Sequence, residues 1–169
     1  MELDVRRILD LPGEVLDFAG ALDLSWIQRL GASLFPESLA VGGRIENRAG
    51  VVSLRYQISG VMQFSCERCL MQTREPIRKE YGHTVVRSLE DESLDDVFLL
   101  APEGRIDLAP VAANDLLLDL PQVLLCKPNC KGLCPTCGAN RNEADCGCSS
   151  EEGDPRWAVL KQLLEKEES

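Results

Sequence analysis

The sequence predicts an α+β fold: an antiparallel β-sheet or partly closed barrel with a few flanking helices, finished by a C-terminal zinc-binding cysteine cluster. Three observations carry this. Over residues 51–64, Val52, Leu54, Tyr56, Ile58, Met62 and Phe64 fall on even positions, and Ser53, Arg55, Gln57, Ser59 and Gln63 on odd ones. That is the period of two of a strand with one face buried and one in water. Helical patterns are few and short. Six of the eight cysteines crowd between Cys126 and Cys148, in a stretch too poor in apolar residues to fold without a staple.

The elements follow in order. Residues 1–14 read as an irregular lead-in broken at Pro12-Gly13. Residues 21–35 suggest a short helix capped by Asp23 or Ser25, with Trp26, Leu30 and Leu34 as an i, i+4 apolar stripe and Trp26 as a core anchor. Residues 39–47 read as a strand that pairs with 51–64 through a turn at Asn47–Gly50. Gly60 suggests a bulge or sharp bend. A third strand is expected at 74–87, with Ile77, Tyr81 and Val85 on one face and His83, the one histidine, packed and hydrogen-bonded among them. The acidic run 89–96 reads as a solvated loop, and Val97–Leu100 as a short strand. Asp107 caps a helix that tolerates Pro110 in its first turn and ends before Pro121. Leu108, Ala112 and Leu116 form its buried face, widened by Leu117 and Leu118. Asp154-Pro155 opens a last helix with Trp157, Leu160 and Leu164 on one side.

The cysteines carry the chemistry. Cys134-Pro-Thr-Cys137-Gly is a turn that aims two thiolates at one point, and Cys146-Gly-Cys148 offers two more. Four soft sulfurs are the donor set of a closed, tetrahedral, structural zinc site. Cys66, Cys69, Cys126 and Cys130 also number four. They suit a second site tying a turn between two strands to the start of the C-terminal cluster, unless Cys130 replaces a ligand of the first. Disulfides would require an oxidising compartment. A redox role for C-x-x-C is disfavoured because the pairs do not start a helix.

Composition narrows the function classes. The 169 residues suit one structural unit, in which residues 1–125 form the sheet-and-helix part and 126–169 the cysteine-rich segment with its helix. No run suggests a signal peptide or membrane span, so the expected setting is the cytoplasm. The net charge of −10 opposes bulk binding to nucleic acid. A local basic face could still form from Arg55, Arg68, Arg74, Arg78, Lys79, Lys127 and Lys131, while the acidic run could meet a basic protein. No P-loop, dinucleotide fingerprint or H-E-x-x-H occurs, so no small-molecule substrate is expected.

Joined in order, these stretches resemble a known family. Cys66, Arg68, Cys69 and Leu70 after a strand are followed by Asp107, Leu108, Leu116–Leu118, Leu120 and Pro121. Then come Leu125–Asn142 with its C-K-G-L-C-P-x-C-G-x-N-x-N pattern, Cys146 and Cys148, and Asp154–Leu160. The set is similar to the YceD family, the large ribosomal RNA subunit accumulation proteins. Arg141 departs from it, where leucine is common. The resemblance implies a non-enzymatic factor for large-subunit assembly that binds ribosomal RNA, a basic ribosomal protein, or both. The alternative is a zinc- or thiol-dependent regulator.

Overall fold

A computed structural model describes residues 1–89 and 97–148. The alternating stretch forms the longest element together with its neighbour. In chain order the elements are β1 (Glu2–Asp4), α1 (Arg6–Asp10), β2 (Val15–Leu22), β3 (Gln28–Arg29), β4 (Ala32–Ser33), β5 (Leu39–Arg48), β6 (Val51–Ser65), β7 (Gln72–Val86), β8 (Phe98–Leu100), β9 (Arg105–Asp107) and α2 (Leu108–Asp119). One five-stranded sheet, ordered β2-β5-β6-β7-β8, dominates. It is a curled, open α+β sheet, with β8 added parallel to β7 at one edge. Two small antiparallel sheets, β1-β9 and β3-β4, complete the architecture.

The β5–β6 hairpin is set by its turn. Ala49 and Gly50 both take positive φ, 53° and 91°, the backbone of a two-residue turn whose twist matches its strands. Asn47 supports it by accepting from the Gly50 amide and donating to the Ile8 carbonyl. From there the pattern holds as read: Val52, Leu54, Tyr56, Ile58, Met62 and Phe64 are all buried. Ile45, Leu39, Val85 and the α2 residues Leu108, Ala112 and Leu116 complete the core. Asp107 caps α2 by accepting from the Ala109 amide, and the helix gives way at Leu120, before Pro121.

Several expectations are corrected. The lead-in is ordered: β1 pairs with β9, and Leu3, Val5 and Ile8 enter the core. Residues 21–35 form no helix. Asp23 accepts from the Ser25 amide as a local turn rather than a helix cap, and Leu30 and Gly31, at φ 52° and 78°, reverse the chain between β3 and β4. Trp26 is therefore 59 % exposed and no core anchor; Leu24, Ile27, Leu34 and Phe35 are buried in its place. Gly60 makes no bulge, since its pairing with Ile77 continues an unbroken register. A Cβ there would lie 2.4 Å from Leu39 Cδ2, so the position serves close approach. Leu117 and Leu118 point to solvent rather than widening the buried face of α2. The solvated reading of the acidic run at 90–96 and the final helix at 154 lie outside the described residues.

Candidate metal centres

The turn between β6 and β7 is built to present sulfur. The Cys66 amide donates to the Met71 carbonyl and the Leu70 amide to the Cys66 carbonyl, closing a knuckle around Glu67 and Arg68. Leu70 takes φ 60° to complete it. Strand pairing thus fixes Cys66 and Cys69. Helix α2 then delivers the opposing pair. After Pro121 the chain crosses the knuckle, where the Leu124 carbonyl accepts from the Glu67 amide at 2.9 Å, and Cys126 and Cys130 follow. Arg29 of the β3–β4 hairpin locks this crossing: its Nε lies 2.6 Å from Glu67 Oε1, and its guanidinium donates to the carbonyls of Pro121 and Gln122.

Cys66 Sγ lies 3.7 Å from Cys130 Sγ, and Cys69 Sγ 3.6 Å from Cys126 Sγ. All four sulfurs sit within 4.8 Å of one another. Four sulfurs bound at about 2.3 Å to a tetrahedral zinc stand about 3.8 Å apart; a disulfide would need about 2.05 Å. The second four, Cys134, Cys137, Cys146 and Cys148, gather equally closely. Here the Cys134 amide donates to the Ala139 carbonyl and the Gly138 amide to the Cys134 carbonyl, and Gly138 bends the turn at φ 74°. The sulfurs therefore group in the two fours that the spacing suggested, with Cys130 in the inner one.

The electrostatics of each four ask for a cation. The backbone amides of Cys137 and Thr136 pull the Cys134 thiol down to about 6. Burial works to raise Cys66, but the amides of Cys126, Arg68 and Cys69 outweigh it and bring it to about 6. The partners respond oppositely: burial and then the neighbouring thiols push Cys126 up to about 12, and the thiol of Cys137 helps push Cys148 to about 12. In the inner group Cys130 is also lowered, burial being outweighed by the Asn142 side chain and the Gly132 amide, while Cys69 is raised; in the outer group Cys146 is raised beside Cys134. Thiols lowered and raised side by side mark the repulsion that a divalent ion removes. Two clusters of four cysteines can thus hold metal. Were each to take zinc, the ion would supply a four-way cross-link carrying net charge −2, and Lys127, Lys131 and Arg141 stand exposed around them.

Two residues gain roles that spacing alone does not suggest. Asn142 donates from Nδ2 to Cys130 Sγ at 3.2 Å, and its Oδ1 accepts from the Lys131 amide. It belongs to the outer loop yet bonds an inner sulfur, so it couples the two centres. Arg68 donates to the Cys130 carbonyl at 3.0 Å, and its own carbonyl accepts from Leu133. His83 is not near the sulfurs. It lies 2.7 Å from Asp115 Oδ2, which also accepts from the Tyr56 hydroxyl, so β6, β7 and α2 meet at one carboxylate. Burial, then Asp115, raises the Tyr56 phenol well above its ordinary range, keeping it a donor.

A family model described as "Large ribosomal RNA subunit accumulation protein YceD" matches residues 54–164. The chain belongs to the YceD family. The match runs from the second half of the β5–β6 hairpin through both cysteine groups. The chain is 24 % identical over 170 residues to the uncharacterized protein YlbN of Bacillus subtilis, covering 99 % of each. It is 27 % identical to an uncharacterized protein of Mycobacterium tuberculosis, over 97 % of this chain and 81 % of the relative. It is 27 % identical to the chloroplastic large ribosomal RNA subunit accumulation protein YCED homolog 1 of Arabidopsis thaliana, over 63 % of this chain and 42 % of that one. No solved structure matches. Among the described residues, no helix is long and apolar enough to cross a membrane.

Proposed function

We propose that this YceD chain is a non-enzymatic, cytoplasmic factor for accumulation of large-subunit ribosomal RNA, acting in assembly of the large subunit. The observation that carries the reading is the family match, whose description names that process. The relative from Arabidopsis bears the same description. The two cysteine groups support a scaffold role: four thiolates complete the coordination of a zinc ion and leave no position for an activated water. Each zinc would be structural, the inner one held by Cys66, Cys69, Cys126 and Cys130 and the outer by Cys134, Cys137, Cys146 and Cys148. The partner is large-subunit ribosomal RNA, a basic ribosomal protein, or both, with no small-molecule substrate. Sucrose-gradient profiles of a deletion strain test the reading. A deficit of large relative to small subunits is expected; a normal ratio in both rich and cold growth overturns it.

A second reading is a zinc- or thiol-dependent regulator. It is favoured by one observation, the exposure of Cys137 and Cys148 in the outer group. Mild hydroperoxide treatment separates the two: zinc retained with thiols intact supports the structural role, whereas zinc release with a Cys137–Cys148 disulfide supports the regulator.

A further inference from the structure

We propose that the outward face of β5–β6–β7 binds the sugar–phosphate backbone of duplex RNA. The inference rests on the ribosomal reading above and names the surface and the form of RNA.

Strand register puts five arginines on that face, Arg44, Arg48, Arg55, Arg74 and Arg78, of which Arg48 is paired with Glu46 at 3.0 Å. The odd residues of β6 point away from the core, and across from them Arg55 pairs with Arg44 of β5 and Gly82 of β7. Ser59 is opposite Arg78, and Gln63 opposite Arg74. All five arginines are exposed. Like charges directly opposite in a sheet are destabilising, and here Arg44 faces Arg55. Asp17 partly relieves Arg44, at 2.6 Å, and Glu37 lies 2.6 Å from Arg74. Arg55 and Arg78 have no carboxylate within ion-pair distance among the described residues. Of the acids beside them, Glu80 accepts from Gln57 at 2.9 Å and Glu46 pairs with Arg48 at 3.0 Å.

The other side chains fit a polyanion. Ser53, Gln57, Ser59, Gln63 and Thr84 supply neutral donors between the arginines. These are the groups that contact phosphate and sugar. Gly42 and Gly82 leave a shallow depression beside Arg44 and Arg55, with Asp17, already held by Arg44, and Glu80, already held by Gln57, also on its rim. The same strands carry no aromatic side chain on this face, because Tyr56 and Tyr81 turn to the other side toward Asp115 and Asp119. Single-stranded RNA is held largely by stacking on aromatics; a face without them favours a duplex read by shape, phosphate and 2′-hydroxyl. The other candidate cations are committed elsewhere. Lys79 pairs with Asp119 at 2.7 Å, and Lys127 and Lys131 flank the cysteine groups.

The test uses the full-length, zinc-loaded chain and fluorescence anisotropy with a 20-base-pair RNA duplex of arbitrary sequence and its single strand. The wild type should prefer the duplex. Four phosphate contacts predict an affinity loss of about 50-fold on tripling the salt. Arg55→Glu with Arg78→Glu should abolish the binding and Arg55→Gln with Arg78→Gln should weaken it at least tenfold, while Lys127→Glu with Lys131→Glu stays within twofold. Circular dichroism confirms the fold of each variant. Preference for the single strand, no duplex binding, or duplex binding unchanged in the arginine variants overturns the proposal. A large-subunit deficit in the deletion strain alongside any of those results leaves the ribosomal reading standing and points to a protein partner.

Discussion

Replacing Asp115 with alanine tests how α2 is docked, and hence how Cys126 is delivered. The Asp115 side chain is only 11 % exposed and accepts from two partners on two strands, the Tyr56 hydroxyl and His83 Nε2. Tyr56 is itself buried. Truncation loses both bonds and leaves a buried hydroxyl without an acceptor, which costs about 1–3 kcal/mol, and the His83 bond adds about 0.5–1.5. The expected loss is therefore about 2–4 kcal/mol. Tyr56→Phe removes the hydroxyl with its bond and should cost about 1 kcal/mol. The double variant should then cost less than the sum of the singles by about 1 kcal/mol, because no orphan donor remains. Urea unfolding of the metal-loaded protein gives all three values. A loss below about 1 kcal/mol for Asp115→Ala, or strict additivity in the double variant, would refute the reasoning.

Three further outcomes follow from the geometry. Gly43→Ala should destabilise by at least about 3 kcal/mol, since a Cβ there would lie 2.3 Å from the Arg55 carbonyl oxygen and 2.6 Å from Tyr56 Cβ, and overpacking against backbone cannot relax cheaply; a midpoint in denaturant unchanged from wild type contradicts this. Asn142→Ala should weaken zinc retention at the inner site about 10–100-fold, as loss of an outer-shell donor does, read by transfer to a chromogenic chelator; equal effects on both ions would count against the Cys130 contact. Acid should release zinc, because the emptied sites bind protons that the loaded ones exclude. Cys66 and Cys134 are depressed to about 6, so thiolate is favoured above that value and lost as the pH falls through it. Cys126 and Cys148 are pushed up to about 12, so the emptied sites take up protons already at neutral pH; zinc retention should therefore weaken steadily as the pH falls and end below about pH 6, and retention independent of pH would contradict this.

Much of this fold is legible in the sequence. Period-two alternation identifies β6 because nearly every even side chain of that strand is committed to one core. The cap at Asp107 and the stop before Pro121 are local chemistry, and they hold. The failures share a cause. β1, α1 and β2 are short or half-exposed, and their partners β9 and β5 are remote in sequence, so pairing rather than local pattern creates them. Trp26, Leu30 and Leu34 have helical spacing by coincidence, which a positive-φ turn at Leu30-Gly31 overrides. In the candidate site, ligand type and grouping could be read from cysteine spacing. Asn142 on Cys130 and the Arg29 lock on Glu67 could not, because both are contacts across loops.

Native mass spectrometry of the reduced, tag-free chain, with parallel metal analysis, tests the two-centre account most directly. The account predicts two zinc ions per chain. Cys66→Ser should weaken or remove one and Cys134→Ser the other, each leaving its neighbour bound. A chain without zinc, a single ion per chain, or loss of the same ion from both variants would contradict it.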